Sequence, residues 1–174
     1  MELFIGKSQK IYAQYKSKHF SFNISYKEKL DYDKSSLKET TYKNYSYNSS
    51  YIKKIHNKII FYTKLSYKHI SYYNNKKYDG YLFNFKTTFL FSRVFYLINN
   101  IVLFSTDNYH SRIYSYTNDI PTVWNINSYY NRGFEISNYL KYKRNFLSYY
   151  FKTSFIKKSK EQKFYIGILI KTTF

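Results

Sequence analysis

Apolar and polar residues alternate with period two along Phe20-Ser21-Phe22-Asn23-Ile24-Ser25-Tyr26, the pattern of a strand with one buried and one wet face. Over residues 52–65 the apolar positions recur at spacings of three and four, which predicts an amphipathic helix. Between these segments, residues 31–51 are rich in Ser, Lys, Asn and Tyr, and are expected to be loop or disordered unless a partner orders them. The most apolar window is 87–106 (TTFLFSRVFYLINNIVLFST). Arg93 stands near its middle, and a central Arg costs about 2.5–3.5 kcal/mol for insertion as a membrane helix. Two buried strands, 89–97 and 101–105, parted by a turn at Asn99-Asn100, account for the window better.

The last part of the chain reads as a compact α+β order. A strand over 101–105 ends at Asp107, and Pro121 suits the first turn of a helix running through Trp124 and Ile126 to Asn131. Gly133 follows as a helix cap, and strands are predicted from Phe134 to Ile136 and over 147–151, separated by 138–146. A short helix over 157–165 and a closing strand over 166–172 complete β-α-β-β-α-β, a ferredoxin-like arrangement. In that closing strand Ile166, Ile168 and Ile170 share one face, expected to pack on the two helices, while Lys171 marks the opposite, wet face. The division is thus an N-terminal extension over 1–97, of short strands with one helix, and a ferredoxin-like domain over 98–174.

Composition changes how these signals are weighed. The 174 residues include 25 Tyr and 16 Phe but only 4 Gly, 1 Pro and one Ala, Ala13. Lys, Asn, Ile, Phe and Tyr have A/T-rich codons, so the pattern points to a gene under A/T pressure in an organelle. Tyrosine is therefore this chain's default large residue, and its abundance is no sign of base stacking. Charge survives that discount. A formal net charge of +19 opposes a compact state unless a polyanion is near, and nucleic acid is the obvious one. The excess is spread along the chain: 18 basic and 6 acidic residues lie before position 99, and 11 and 4 from there on. The absence of cysteine excludes disulfides, thiolate zinc sites and cysteine nucleophiles. The N-terminus shows neither an apolar signal region nor the Arg-rich pattern of an imported presequence, as expected of a protein made in the organelle where it works.

One stretch carries a family signal. Residues 153–170 (TSFIKKSKEQKFYIGILI) contain Lys157-Lys158-Ser159-Lys160-Glu161-Gln162. This run resembles the C-terminal signature SPHVxKKSREQFE of the small-subunit ribosomal protein ten family, with Lys160 where the family usually has Arg. Leu147-Ser148-Tyr149-Tyr150-Phe151-Lys152 is similar to the family's YTVLRS strand, and Gly133-Phe134-Glu135-Ile136 to its GAxV turn and strand. The likeness covers about 98–174. It departs where the family has GPIPLPT: residues 138–144 (NYLKYKR) hold neither Gly nor Pro.

The resemblance implies a structural constituent of the head of an organellar small ribosomal subunit, a mitochondrial one first and a plastid one second. It implies ribosomal RNA and neighbouring small-subunit proteins as partners, with no cofactor, no small-molecule substrate and no membrane span. It places Lys141, Lys143 and Arg144 at the tip of a long hairpin, with Tyr142 beside them to stack on a base or cover a ribose. Lys152 lies on the preceding strand, and Lys157, Lys158 and Lys160 lead into the second helix, whose N-terminus favours phosphate. His19, His56, His69 and His110 are scattered, and no glycine-rich phosphate loop exists, so the chain is not expected to be an enzyme. The rival class is a small accessory subunit of a mitochondrial inner-membrane respiratory or ATP synthase complex.

Overall fold

The computed structural model describes residues 9–33, 38–73, 75–116, 120–121, 126–159 and 161–172. It is built of strands: β1 (Gln9–Lys16), β2 (Phe20–Asp33), β3 (Lys38–Ile55), β4 (Ile59–Tyr72), β5 (Lys77–Leu90), β6 (Phe95–Thr106), β7 (Ile113–Tyr116), β8 (Ile126–Tyr129), β9 (Arg132–Arg144), β10 (Leu147–Lys158) and β11 (Glu161–Thr172). Nine of them form one antiparallel sheet in the order β1-β2-β3-β4-β5-β6-β9-β10-β11, and β7 pairs only with β8. Every neighbour in the large sheet is a sequence neighbour except β6 and β9, between which the chain makes the β7–β8 excursion.

The expected ferredoxin-like α+β fold is therefore wrong, because the described residues contain no helix. Each failed element has a local cause. Residues 52–65 are the end of β3, a turn, and the start of β4, with Ile55 opposite Ile59. His56 and Asn57 take positive φ values of 49° and 56°, and Lys58 N–H donates to Ile55 O at 3.2 Å, closing a tight hairpin turn. The three-and-four spacing was two period-two strands read across that turn. Asn99-Asn100 is no turn either: β6 runs straight through it, and the reversal is at Phe91–Val94, which puts Arg93 in solvent. Gly133 caps no helix; it lies within β9. A side chain there would run into Lys157 O and lie 2.8 Å from the Phe104 ring. Ile126–Tyr129, expected to be helical, is β8, and Trp124 lies outside the described residues.

The strand expectations fare better. Phe20 to Tyr26 lies in β2, Phe134 to Ile136 in β9, 147–151 in β10 and 166–172 in β11. The predicted loop over 31–51 is instead largely the β2–β3 hairpin, with Asp33 opposite Lys38.

The sheet has two unlike faces. On one, β7 and β8 lie as a lid. Beneath them Leu82, Val102 and Phe104 from β5 and β6 pack with Ile113 and Tyr129 of the lid. A second cluster joins Ile98, Tyr139 and Tyr150 to Ile120. Ile113, Tyr129 and Ile120 thus supply part of the second layer that a sheet needs to bury its apolar side chains. Among the described residues the other face has no second layer. Ile166, Ile168 and Ile170, expected to pack on helices, lie there at 56%, 71% and 60% exposed.

Candidate nucleic-acid interface

Up-and-down connectivity gathers the turns at two ends of the sheet, and the charges divide between those ends. One end holds the β1–β2, β3–β4, β5–β6 and β9–β10 turns and the end of β11. Lys16 and Lys18 flank the first of these, Lys53, Lys54 and Lys58 surround the second, and Arg93 is in the third. Lys143 and Arg144 enter the fourth, and Lys171, opposite Ser148, closes the row. All nine cations are exposed, and among the described residues this end has no carboxylate. Backbone bonds tie the turns into one rim: Ile52 N–H to His19 O at 2.7 Å, Leu90 N–H to Lys58 O at 2.6 Å, and Lys143 N–H to Val94 O at 2.8 Å.

The opposite end is of mixed sign. Glu28 faces both Gln9 and Lys43. The Asp79 carboxylate accepts from Tyr67 Oη at 2.7 Å and lies 2.8 Å from His69 Nδ1, while Asp107 accepts from Asp79 N–H at 2.7 Å. The His69 bond, more than the Tyr67 bond, holds the Asp79 pKa below its ordinary value against the upward pull of its burial. Glu161 pairs with Lys163 at 3.6 Å.

The structure scatters the cations expected to form the RNA site. Lys143 and Arg144 stand exposed at the end of β9, followed by a two-residue turn in which Asn145 takes a φ of 51°. That residue does the work of the missing Gly and Pro. Lys141 is half-buried on the lidded face, its ammonium 5.7 Å and 5.5 Å from the rings of Tyr96 and Tyr150. Tyr142 projects to the bare face, stacked on Tyr149 at 6.0 Å and so half-engaged already. Lys152 is buried at 2% exposed, with its ammonium 5.6 Å from the Tyr165 ring, and is shut off from phosphate.

Lys157 and Lys158 begin no helix. They end β10 and face Gln162 and Glu161 across a hairpin; Lys160 lies outside the described residues. Lys, Glu and Gln favour helices, but Phe155-Ile156 and Phe164-Tyr165 carry the strand alternation up to the turn. A short helix with no packing face does not outweigh its nucleation cost. Lys157 is exposed, whereas the Lys158 ammonium sits 3.7 Å over the Tyr130 ring. Lys158 and Lys152 share the lining of a cavity of about 340 Å³ with Glu135, Asn127 and Lys163. Lys157 is ten residues along β10 from Leu147, roughly 33 Å at about 3.3 Å per residue. The two predicted clusters therefore lie at opposite ends of the sheet and form no single site.

Sequence reasoning missed Lys16, Lys18, Lys53, Lys54, Lys58 and Arg93. The signal was present as cations next to Ser17, Asn57 and Ser92, but it becomes a pattern only once the turns are known to share one end. Among the described residues no group of His, Asp and Glu is placed to hold a metal ion. No protein-family model matches the chain, and no curated protein matches it.

Proposed function

We propose that this chain is a structural RNA-binding protein of the small subunit of an organellar ribosome, a mitochondrial one first, and that its basic rim lies against ribosomal RNA. The observation that carries this reading is the rim itself: nine exposed cations on adjoining turns with no carboxylate among the described residues there. Such an arrangement repels itself in isolation and is relieved by a row of phosphates. The ribosomal assignment rests in addition on the Lys157–Gln162 run, whose first two lysines close β10 at a hairpin turn. The chain acts by charge and shape and performs no catalysis.

The test is sedimentation of the tagged chain from detergent-solubilised organelles. Co-migration with the small subunit at low salt is expected, with marked loss on replacing Lys143 and Arg144 together by Ala. Exposed side chains of this kind cost within about 0.5 kcal/mol of stability, so folding is retained for the two rim residues. A chain that migrates instead with a respiratory or ATP synthase complex sinks the proposal and favours the membrane-complex rival.

A further inference from the structure

The bare face of the sheet is the largest feature that RNA binding leaves unused. Register places Thr63, Phe85, Ile101, Ile136, Phe155 and Phe164 in one row across six strands, and Ile59, Phe89, Leu97, Leu140, Phe151 and Ile168 in another. Between them runs Phe61, Thr87, Asn99, Asn138, Thr153 and Ile166, where Asn138 Nδ2 donates to Thr153 Oγ1 at 3.5 Å. No charged side chain stands in these three rows from β4 to β11. The same strands carry Lys64, Lys86, Glu135, Lys152 and Lys163 on the lidded face. An open, mainly apolar groove of about 600 Å³ extends the bare face past Leu65, Phe83 and Leu103, with Arg132 at its border.

Six strands at about 4.8 Å spacing and five residues of height at about 3.3 Å make the uncharged band roughly 400 Å² in plan, and the groove adds to it. That reaches the size at which an exposed apolar patch on a protein marks an interaction site. Nucleic acid fits the band poorly: six phenylalanines lie among its rows, but no cation stands within them to meet phosphate. A second copy of the chain fits poorly, because two bodies of net charge +19 would be brought face to face.

We propose that this face seats on a lipid bilayer, its Ile, Leu and Phe side chains entering the acyl boundary of one leaflet. Charge complementarity supports that occupant: the cationic rim adjoins the uncharged band, where anionic headgroups would lie beside buried acyl chains. The sheet lies on the bilayer and does not cross it. Among the described residues β1 and β11 each lack an outer pairing partner in the sheet, and an open edge is not tolerated in hydrocarbon.

Flotation of the purified full chain with vesicles tests this, using phosphatidylcholine alone and phosphatidylcholine with phosphatidylglycerol. Binding to both, stronger with phosphatidylglycerol because of the rim and retained in part in about 1 M salt where the Debye length is about 3 Å, is expected. The double variant Ile101→Lys/Ile136→Lys should reduce the bound fraction roughly tenfold, as lipid-facing cations do. Its circular dichroism should be unchanged, because these side chains are 40% and 43% exposed. Binding that needs phosphatidylglycerol and vanishes in high salt overturns the proposal, since the rim alone then explains it. So does undiminished flotation of the double variant, or a dimer in light scattering that the double variant dissociates. Lys143→Ala/Arg144→Ala affects RNA binding and not salt-resistant flotation, so failure of the lipid reading is separable from failure of the RNA reading.

Discussion

Tyr129→Phe isolates the polar anchor that fixes the lid to the sheet. Tyr129 is fully buried, with its ring 5.0 Å from that of Phe104, and its hydroxyl donates to Glu135 Oε2 at 2.6 Å. Glu135 is 1% exposed and also accepts from Asn127 Nδ2 at 3.1 Å and Ser154 Oγ at 3.0 Å. Burial first, then the neighbouring Glu135 charge, pushes the Tyr129 hydroxyl pKa well up, so it remains a donor at any ordinary pH. The substitution keeps the ring and creates no cavity, leaving a buried carboxylate short of one donor. A hydrogen bond to a charged group contributes about 1.5–3 kcal/mol, and the two remaining donors favour the lower half of that range. Urea unfolding should therefore show a loss of about 2 kcal/mol in Tyr129→Phe. The same change made in Glu135→Gln should cost less, and the difference measures the coupling. A loss within about 0.5 kcal/mol would refute the argument, because it would mean that the carboxylate is not held by the lid.

Ile168→Ala, on the bare face, should change stability by no more than about 0.5 kcal/mol, whereas Leu82→Ala, 2% exposed under the lid, should cost about 2–5 kcal/mol in the same unfolding assay. Lys68 donates to His110 O at 3.0 Å and Arg112 O at 3.2 Å, and burial, helped by the Arg112 charge, lowers its pKa from 10.5 to about 8. The native state then holds fewer protons than the unfolded one between those values, so this lysine's contribution makes stability rise with pH from about 8 towards 10, and Lys68→Met should remove that slope. A variant that retains the slope in pH-dependent thermal unfolding would contradict the assignment.

Much of the sheet was legible residue by residue, but not its architecture. Period two in Phe20 to Tyr26 and in 166–172 identified strands correctly, because alternation has one structural meaning. Turns were the weak point. With only four glycines, the reversals at Asn57, Asn75, Asn131 and Asn145 use asparagine at positive φ. Asparagine is also abundant inside strands, as at Asn99 and Asn100, so no residue type marked the breaks. Apolar residues on both sides of the hidden turn at His56-Asn57 then mimicked helical spacing. The β10–β11 hairpin failed for the opposite reason: good helix formers at a turn were given more weight than the aromatic alternation on either side. The basic character of the 141–144 segment was legible, and its place at a strand end followed. The rest of the rim was not, since its lysines come from segments far apart in sequence and meet only through the strand order.

The central claim is that the rim binds RNA phosphates. The most direct measurement is the affinity of the full chain for organellar small-subunit RNA as a function of salt concentration. With nine rim cations engaged, the slope of log K against log salt should be about −6 for single-stranded and about −8 for duplex segments. Replacing Lys58, Lys143 and Arg144 by Gln should make it shallower by about 2 for single-stranded and about 3 for duplex segments. A slope near zero, or one left unchanged by the triple replacement, would contradict the account.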